Sequence, residues 1–449
     1  MKPFKELIGA AAGVFVLFAG SRAFALTDMA FHGNILPAIP AIAVIMAFCL
    51  YISIRPVRCD KEAALSARIC FGGRRLILYG LLLMASQLAW TTGMFLNSGA
   101  EIGWFQVADG VFAWAFTWAV LANGVLRVFL MSKRLRVVRR LLIPLFIWIP
   151  IVNIFIMIYL CNVARDEYDH ALYKLSIHSA YGGGDACRTR YPLLMLHGVG
   201  FRDFKFLNYW GRIPKTLMRR GATIYYGNQE AWGTVESNAA DVVKRIDEML
   251  AETGAEKVNI LAHSKGGLDA RYAVSRLGVA DKVASLTTVS TPHRGTPLAD
   301  VLIRMPGWIQ NLIARFVDWY FRAIGDTNPQ FLAVGKSFTT GYAARFNDEM
   351  PDVSGVYYQS YMSVMRGAFS FAPLSLPYLI IKRASGEEND GLVPVSSSKW
   401  GEFKGVFRNR RRRGISHGDI IDLTRRDFSR FDVVSTYVGI VSNLKKQGF

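Results

Sequence analysis

Hydrophobic residues follow two different patterns along the chain, and the change comes near residue 165. The part before it contains apolar stretches, each about as long as a helix that spans a bilayer. These stretches are residues 7–26, 35–54, 76–96, 111–131 and 141–163. Charged residues are concentrated in the connectors, a combination that the core helices of soluble proteins rarely show. The pattern predicts an all-α transmembrane region over residues 1–165.

Basic residues are distributed unevenly among the connectors. The second connector, residues 55–75, contains six Lys or Arg residues, and the fourth, residues 132–140, contains five. The first and third connectors, residues 27–33 and 97–109, contain none. Because cytoplasmic loops carry the excess of Lys and Arg, the basic connectors indicate the cytoplasmic side. Five spans then place the rest of the chain outside the cytoplasm.

The basic connectors also account for much of the net charge. The chain has a formal net charge of +19, and more than half of it lies in residues 1–165. A strongly basic protein is a candidate for binding nucleic acid. Here the basic residues flank apolar stretches and are explained as topology signals, so we expect no nucleic-acid partner.

The first apolar stretch has an alternative interpretation. Lys2, Lys5, the apolar run and the sequence Ala23-Phe24-Ala25 also fit a cleavable signal peptide. Arg22, directly before that sequence, favours an uncleaved helix. Cleavage would leave four spans and the same final orientation.

Strand and helix patterns alternate in the second half of the chain, after a polar connector over residues 166–190. Residues 238–251 have the apolar spacing of an amphipathic helix, and residues 267–277 form a second predicted helix. The short apolar runs that predict buried strands are residues 192–196, 223–226, 257–262 and 283–290. The alternation predicts an α/β domain over residues 191–449, with helices on both faces of a mostly parallel sheet.

The sequence Ala262-His263-Ser264-Lys265-Gly266 joins a predicted strand to a predicted helix. It has the form of a nucleophile elbow, G-x-S-x-G, with alanine at the first position. Small residues allow the strand and helix to approach closely, and the turn raises the serine hydroxyl above the sheet edge. Ser264 is therefore the candidate nucleophile, and an ordinary glycine-rich turn is the alternative.

A second glycine-containing segment, His197-Gly198-Val199-Gly200, follows the first predicted strand. Its glycines allow a backbone amide to turn toward the nucleophile. The amides of Val199 and Lys265 are thus the candidate oxyanion hole. We expect His197 itself to have a structural role.

A serine nucleophile needs a general base and a carboxylate that orients the base. In proteins with a nucleophile elbow the chain order is serine, acid, histidine. Two histidines follow the serine, and His293 precedes every plausible acid, whereas His417 lies in a late loop. His417 is therefore the candidate base and Asp390 the candidate acid, with Glu387 and Glu388 as alternatives to Asp390.

Several motifs in order give the chain a family resemblance over most of residues 190–425. They are PLLMLHGVGF, YWGRIPKTLMRRGATIYYGNQ, EKVNILAHSKGGLDARYAVS, VASLTTVSTPHRGTPLAD, GYAARFND, NDGLVP and SHGDIIDL. With these motifs the chain resembles the bacterial true lipases of the Pseudomonas and Burkholderia type and their clostridial relatives. The resemblance implies an α/β-hydrolase fold and hydrolysis of long-chain acylglycerols. It implies the same roles for Ser264, Asp390 and His417, and for the amides of Val199 and Lys265.

The resemblance also implies a structural calcium site, although the chemistry itself requires no cofactor. In the family one ligand is an aspartate upstream of the catalytic acid, and another lies two residues after the catalytic histidine. Asp419 matches the second ligand, but no aspartate occurs between Asp352 and Asp390. The sequence therefore leaves a calcium site at Asp419 open.

Apolar residues recur every three to four positions over residues 298–325, with arginines between them. This spacing predicts one or two helices with a broad apolar face. The face includes Trp308, Leu312 and Phe316. One interpretation is a lid, within residues 298–375, that covers the active site in water and lies on lipid when open. The alternative is a helix packed in the core.

Together these features predict a membrane-anchored serine ester hydrolase that cleaves acylglycerol lipid esters through an acyl-enzyme. The expected location is the cell membrane of a bacterium, with the catalytic domain on the extracytoplasmic side. A phospholipase or acyltransferase with the same triad is one alternative, and a non-catalytic membrane scaffold is another. The sequence does not indicate protein partners.

Overall fold

The structure of the protein is a computed structural model. It describes residues 2–26, 35–55, 63–97, 103–132, 134–135, 137–149, 151–180, 184–201, 209–409, 413–425, 428 and 431–449. The chain divides into two compact units, Met1–Leu175 and Ser176–Phe449. Each unit has hydrophobic core clusters of its own.

The described residues of the N-terminal unit are almost all helical. Its helices are α1 (Lys2–Ser21), α2 (Ile35–Ile54), α3 (Leu65–Asn97), α4 (Trp104–Met131), α5 (Val137–Phe146) and α6 (Val152–Ala180). Two of them, over Leu65–Leu96 and Trp104–Met131, are long and apolar enough to cross a membrane. Ala10–Ser21 and Ile39–Ile54 are shorter apolar helices. The unit is therefore consistent with a transmembrane region.

Several features of this unit differ from the sequence prediction. Helices α3 and α4 begin at Leu65 and Trp104, inside the predicted connectors 55–75 and 97–109. Residues 141–163 are divided between α5 and α6 instead of forming one helix. Pro144 removes a hydrogen-bond donor inside α5, and Ile151 has a left-handed backbone with φ of 70°, which interrupts the helix. The expected connector after residue 165 is helical as far as Ala180 because no proline or glycine occurs from residue 152 to residue 180.

Small residues allow α3 and α4 to pack closely. A Cβ atom at Gly124 of α4 would lie 2.8 Å from the backbone nitrogen of Ile77 in α3. A Cβ atom at Gly80 of α3 would lie 2.4 Å from Cγ of Leu121 in α4. Close approach at glycine is a common way for membrane helices to associate, because packing there replaces the hydrophobic effect.

The C-terminal unit contains a six-stranded parallel sheet. The strand order is β2-β1-β3-β4-β5-β6. The strands are β1 (Leu193–Leu196), β2 (Ile224–Tyr226), β3 (Val258–His263), β4 (Val283–Val289), β5 (Tyr357–Ser363) and β6 (Glu402–Phe407). The predicted parallel sheet is confirmed.

The helices of this unit occupy both faces of the sheet. They are α7 (Ile213–Met218), α8 (Val235–Thr253), α9 (Lys265–Arg276), α10 (Pro297–Leu302), α11 (Gly307–Ala323), α12 (Phe331–Ser337), α13 (Thr340–Glu349), α14 (Ser375–Ser385), α15 (Val395–Ser398) and α16 (Val433–Lys446). Leu193 and Met195 of β1 belong to the core that includes α7 and α16. Leu194 and Leu196 belong to the opposite core, with α8 and α9. This alternation reflects the period of two residues in a strand and confirms the predicted layers.

Candidate active site

Ser264 lies in a sharp turn between β3 and α9. Its backbone torsion angles are φ 54° and ψ −128°, in a region that L residues rarely adopt. A Cβ atom at Gly266 would lie 2.6 Å from the carbonyl oxygen of His197 and 2.8 Å from that of Leu196. A larger residue at position 266 would therefore push β1 and α9 apart. The strained turn and the adjacent glycine are the features of a nucleophile elbow.

Asp390 and His417 are brought together from separate loops. His417 Nδ1 lies 2.8 Å from Asp390 Oδ2, and the His417 amide donates to the Asp390 backbone oxygen at 2.9 Å. The other carboxylate oxygen, Asp390 Oδ1, accepts from the amides of Leu392 and Val393. Asp390 is fully buried, so these donors hold its carboxylate in one orientation. The pairing occupies the Nδ1 side of the His417 ring.

The imidazole of His417 lies beside the elbow. Its ring centroid is 4.5 Å from that of His263, the residue directly before Ser264. Burial lowers the pKa of His263 well below its usual value, and the neighbouring His417 lowers it further. His263 Nδ1 is paired with the Tyr209 hydroxyl at 2.6 Å. The His417–Asp390 pair thus lies beside the residue that precedes Ser264.

The alternatives to Asp390 and His417 have other partners. Glu388 forms an exposed ion pair with Arg408, and Glu387 accepts from the amide of Ser396. His293 is buried, with Nε2 facing the Thr288 hydroxyl and Nδ1 facing Arg271. Its pKa is lowered well below the usual value by burial and then by Arg271. These contacts suit a neutral packing role for His293.

The segment after β1 lies against the serine. A Cβ atom at Gly198 would be 2.8 Å from Cβ of Ser264 and 3.3 Å from its Oγ. Val199 and Ser264 line the same cavity, and Lys265 is the first residue of α9. The buried ring of His197 lies between the carbonyl oxygens of Gly198 and Gln229, at 2.8 and 3.0 Å. Its contacts link two loops, as expected for a structural residue.

An apolar cavity of about 270 Å³ opens beside Ser264. Helices α10, α11 and α12 supply much of its wall, and Gln310 is the main polar side chain that they contribute. The Gln310 amide donates to the backbone oxygens of Ile303 and Met305. The apolar lining residues include Leu298, Leu302, Ile313, Phe331, Leu332 and Phe338. A cavity of this kind accommodates a hydrocarbon chain next to the nucleophile.

The outer face of α11 is apolar and faces away from the core. Trp308, Leu312 and Phe316 are 70%, 63% and 64% exposed. Ile313, on the same helix, contributes to the cavity wall. The helix therefore covers the cavity with one side and exposes large apolar side chains with the other. The alternative of a helix packed in the core is wrong for these three residues.

Comparisons with known proteins place the chain in a family. Residues 191–361 match the family model described as the α/β hydrolase fold. A triacylglycerol lipase from Saccharomyces cerevisiae, triacylglycerol lipase 2, is 30% identical over 267 residues, which cover 54% of this chain and 75% of the yeast protein. The chain belongs to the α/β-hydrolase lipase family.

Other lipases are also similar to part of the chain. The triacylglycerol lipase of Vibrio cholerae is 29% identical over 286 residues, covering 58% of this chain and 89% of that protein. The crystal structure of Bacillus licheniformis lipase BlEst2 in its mature form is 20% identical, covers 52% of this chain and 87% of that chain, and has a TM-score of 0.41. As a member of the lipase family, the chain is a carboxylic-ester hydrolase that needs no cofactor for catalysis.

The structure reveals a buried ion pair that the sequence analysis missed. Lys265 Nζ lies 2.6 Å from Asp269 Oδ1, and both side chains are almost completely buried. Asp269 Oδ2 also accepts from the amides of Gln229 and Asn238. Burial raises the pKa of the Asp269 carboxyl, and Lys265 opposes the increase. The sequence feature that could have predicted this pair is a Lys and an Asp four residues apart on the helix that follows the elbow.

The surroundings of Asp419 do not fit the calcium site that the resemblance implied. Both oxygens of its carboxylate accept from Arg413 Nη2, at 3.0 and 3.1 Å, and Oδ2 also accepts from the Ser416 amide. Burial raises the pKa of Asp419, and Arg413 opposes this effect. Over the part of the chain that the structure describes, no group of three His, Cys, Asp or Glu residues could hold a metal ion. The Arg413 guanidinium therefore occupies the position beside Asp419 in which a calcium ion would lie.

Proposed function

We propose that the chain is a membrane-anchored serine hydrolase that cleaves acylglycerol esters through an acyl-enzyme. The observation that carries the proposal is the contact of His417 with Asp390 beside the strained turn at Ser264. A serine, a histidine and a buried carboxylate in this order and geometry are the components of a nucleophilic triad.

In the proposed mechanism, Ser264 Oγ attacks the ester carbonyl while His417 Nε2 accepts its proton. Asp390 holds Nδ1 of the imidazole and stabilises the imidazolium that forms. The amides of Val199 and Lys265 stabilise the oxyanion of the tetrahedral intermediate. His417 then gives the proton to the leaving alcohol, and water hydrolyses the acyl-enzyme by the reverse sequence of proton transfers.

The shape of the site supports a lipid ester as substrate. The apolar cavity beside Ser264 would take the acyl chain, and the apolar face of α11 would meet a lipid surface. The relatives named triacylglycerol lipase support an acylglycerol as the alcohol part. We propose that residues 191–449 form the lipase domain and that residues 298–375 contain its lid.

The proposed location is a bacterial cell membrane, with the N-terminal unit as the anchor. The long apolar helices α3 and α4 and the basic connectors support this assignment. By the positive-inside rule, the lipase domain lies on the extracytoplasmic side. Lipid is then the substrate and the membrane is the partner.

Single substitutions test the triad. Ser264→Ala, His417→Ala and Asp390→Asn should each lower kcat for a short soluble ester by about 10³-fold or more. Combined substitutions should lose little more than single ones because the three groups act as a unit. His293→Ala is the matched control, since His293 is also buried and should leave most of the activity.

Labelling identifies the nucleophile directly. A fluorophosphonate probe should label the wild-type chain at Ser264 and should not label Ser264→Ala. An active His417→Ala variant combined with an inactive His293→Ala variant would overturn the assignment of the base. Release of fatty acid from phospholipids but not from acylglycerols, in an assay with mixed lipids, would overturn the proposed substrate.

A further inference from the structure

The loop that carries His417 contains a buried carboxylate with an unusual neutralising partner. Asp419 lies two residues after His417 and is 1% exposed. The partner is the guanidinium of Arg413, which reaches both carboxylate oxygens with Nη2. A buried carboxylate without a countercharge is strongly disfavoured, so the loop depends on this arginine.

Arg413 is itself held in place from several directions. Its guanidinium lies over the rings of Phe371 and Phe428, at 5.4 and 5.1 Å from their centroids. Its backbone oxygen accepts from the amide of Arg366. Two residues later the Ile415 amide donates to the Val364 oxygen at 2.7 Å, which attaches the loop to the end of β5.

Asp419 closes the turn that contains the histidine. Its Oδ2 accepts from the Ser416 amide at 3.1 Å, and its own amide donates to the Ser416 hydroxyl at 3.2 Å. His417 lies inside this turn, and its amide donates to the backbone oxygen of Asp390. The orientation of the imidazole therefore depends on the Asp419 carboxylate.

A divalent cation and Arg413 cannot share this carboxylate. Calcium takes six to eight oxygen ligands, whereas Asp419 presents its oxygens to a guanidinium and a backbone amide. A fixed positive charge about 3 Å from these oxygens repels a cation. The arginine and a metal ion are thus alternative countercharges.

We propose that Arg413 takes the place of a structural metal ion in this chain and is a positioning residue for His417. As the countercharge of Asp419, it fixes the loop in which the base lies, so that turnover does not depend on a divalent cation. The inference rests on the proposed function, because it takes His417 as the base.

The test compares Arg413→Gln with Arg408→Gln in the full chain. Arg408 is a suitable control because it lies nearby in the sequence and pairs with Glu388, where both partners are about half exposed. The rate on a short soluble ester is measured per active site, titrated with a fluorophosphonate, so that unfolded molecules do not contribute. EDTA and millimolar calcium are added in separate arms.

The wild type should keep its rate in EDTA. Arg413→Gln should lose about tenfold or more in kcat, with KM changed little. Calcium should not restore kcat, because the described residues offer no group of ligands that could hold the ion. Arg408→Gln should remain near the wild type. Arg413→Lys, which keeps the charge, should recover part of kcat, and Arg413→Gln combined with Asp419→Asn should lose no more than the larger single loss.

Three results would overturn the inference. The first is loss of wild-type activity in EDTA with recovery in calcium, and the second is a normal kcat in Arg413→Gln. The third is a double variant whose loss in kcat equals the product of the separate losses of Arg413→Gln and Asp419→Asn. If no active sites of Arg413→Gln react with the fluorophosphonate, the kcat values of Arg413→Lys and Asp419→Asn are compared with that of the wild type instead. A wild type without labelling at Ser264 would mean failure of the proposed function, whereas normal labelling with a normal kcat in Arg413→Gln is failure of this inference alone.

Discussion

Ser264 combines a strained backbone with a crowded environment, and both depend on neighbouring residues. The turn brings the carbonyl oxygens of Leu196 and His197 close to Gly266. Lys265, directly after the serine, has its charge buried against Asp269. Removal of one member of such a pair typically destabilises a protein by about 3–5 kcal/mol, because the other charge stays buried without a partner. The elbow is therefore held by steric fit on one side and by charge on the other.

A glycine-to-alanine pair tests the steric fit. Gly266 and Gly341 are each the second residue of a helix, α9 and α13. A Cβ atom at Gly266 would meet backbone oxygens at 2.6 and 2.8 Å, whereas one at Gly341 would meet nothing within 4 Å. Gly266→Ala should lower both thermal stability and esterase activity markedly.

Gly341→Ala should leave activity unchanged and should be neutral or stabilising by up to about 1 kcal/mol, because alanine favours helices. Differential scanning fluorimetry and a soluble-ester assay measure the two effects. Equal thermal stability and equal activity of the two variants would contradict the role of the close approach between Gly266 and β1.

At the scale of secondary-structure elements, the parallel sheet determines where the reactive groups meet. The carboxyl ends of β1 and β3 present the Val199 segment and Ser264 at one edge. Helices α10, α11 and α12 lie over the same edge and enclose the cavity. Helix α11 also exposes an apolar face. The helix that helps to enclose the cavity would therefore be stabilised by contact with lipid.

Replacement of Trp308, Leu312 and Phe316 together by Ser should impair long-chain emulsified substrates far more than short soluble esters. Partial burial of these side chains in lipid would contribute several kcal/mol, at about 25 cal/mol per Å². In the proposed mechanism short esters need only the triad and the oxyanion hole, which α11 does not supply. The measurement is the ratio of the two activities.

Met218→Ser is the control for this experiment, since Met218 is an exposed apolar residue on α7. Its activity ratio should equal that of the wild type. Equal proportional losses on both substrates in the triple variant, with unchanged thermal stability, would show that α11 is a fixed wall of the site.

At the scale of the whole molecule, the two units differ in the distribution of charged and apolar residues. Most basic residues of the N-terminal unit lie in residues 55–75 and 132–140. The helices of this unit expose many apolar side chains. The C-terminal unit has a core cluster on each face of its sheet and carries the His417–Asp390 pair. These patterns are consistent with a transmembrane region followed by an α/β-hydrolase domain.

Reporter fusions test this orientation. A reporter fused after Phe449 should be active only if it works outside the cytoplasm, because the five spans predicted from the sequence, starting from a cytoplasmic N-terminus, would end outside. A second fusion within the basic connector 55–75 should give the opposite result. Activity of a cytoplasm-only reporter after Phe449 would reverse the proposed topology.

Local sequence patterns were sufficient to predict the fold class and the order of the candidate reactive groups along the chain. The apolar runs and amphipathic spacings reflect backbone periods of 2 and 3.6 residues, which act within one element. They were enough to predict the parallel sheet, the helices on both of its faces and the turn at Ser264. Helix ends were less predictable: the interruption near Ile151 and the helical residues as far as Ala180 depend on a few torsion angles.

Contacts between distant residues were decided by the tertiary structure alone. Asp390 faces His417 while Glu388 pairs with Arg408, although all three acidic candidates lie within four positions. Asp419 is paired with Arg413, although its position matched a calcium ligand. The exposed face of α11 has the same spacing as a core helix. A side chain's partner depends on which groups the fold brings within a few ångströms, and no period in the sequence records that, because the charges and apolar surfaces meet only after the strands have paired.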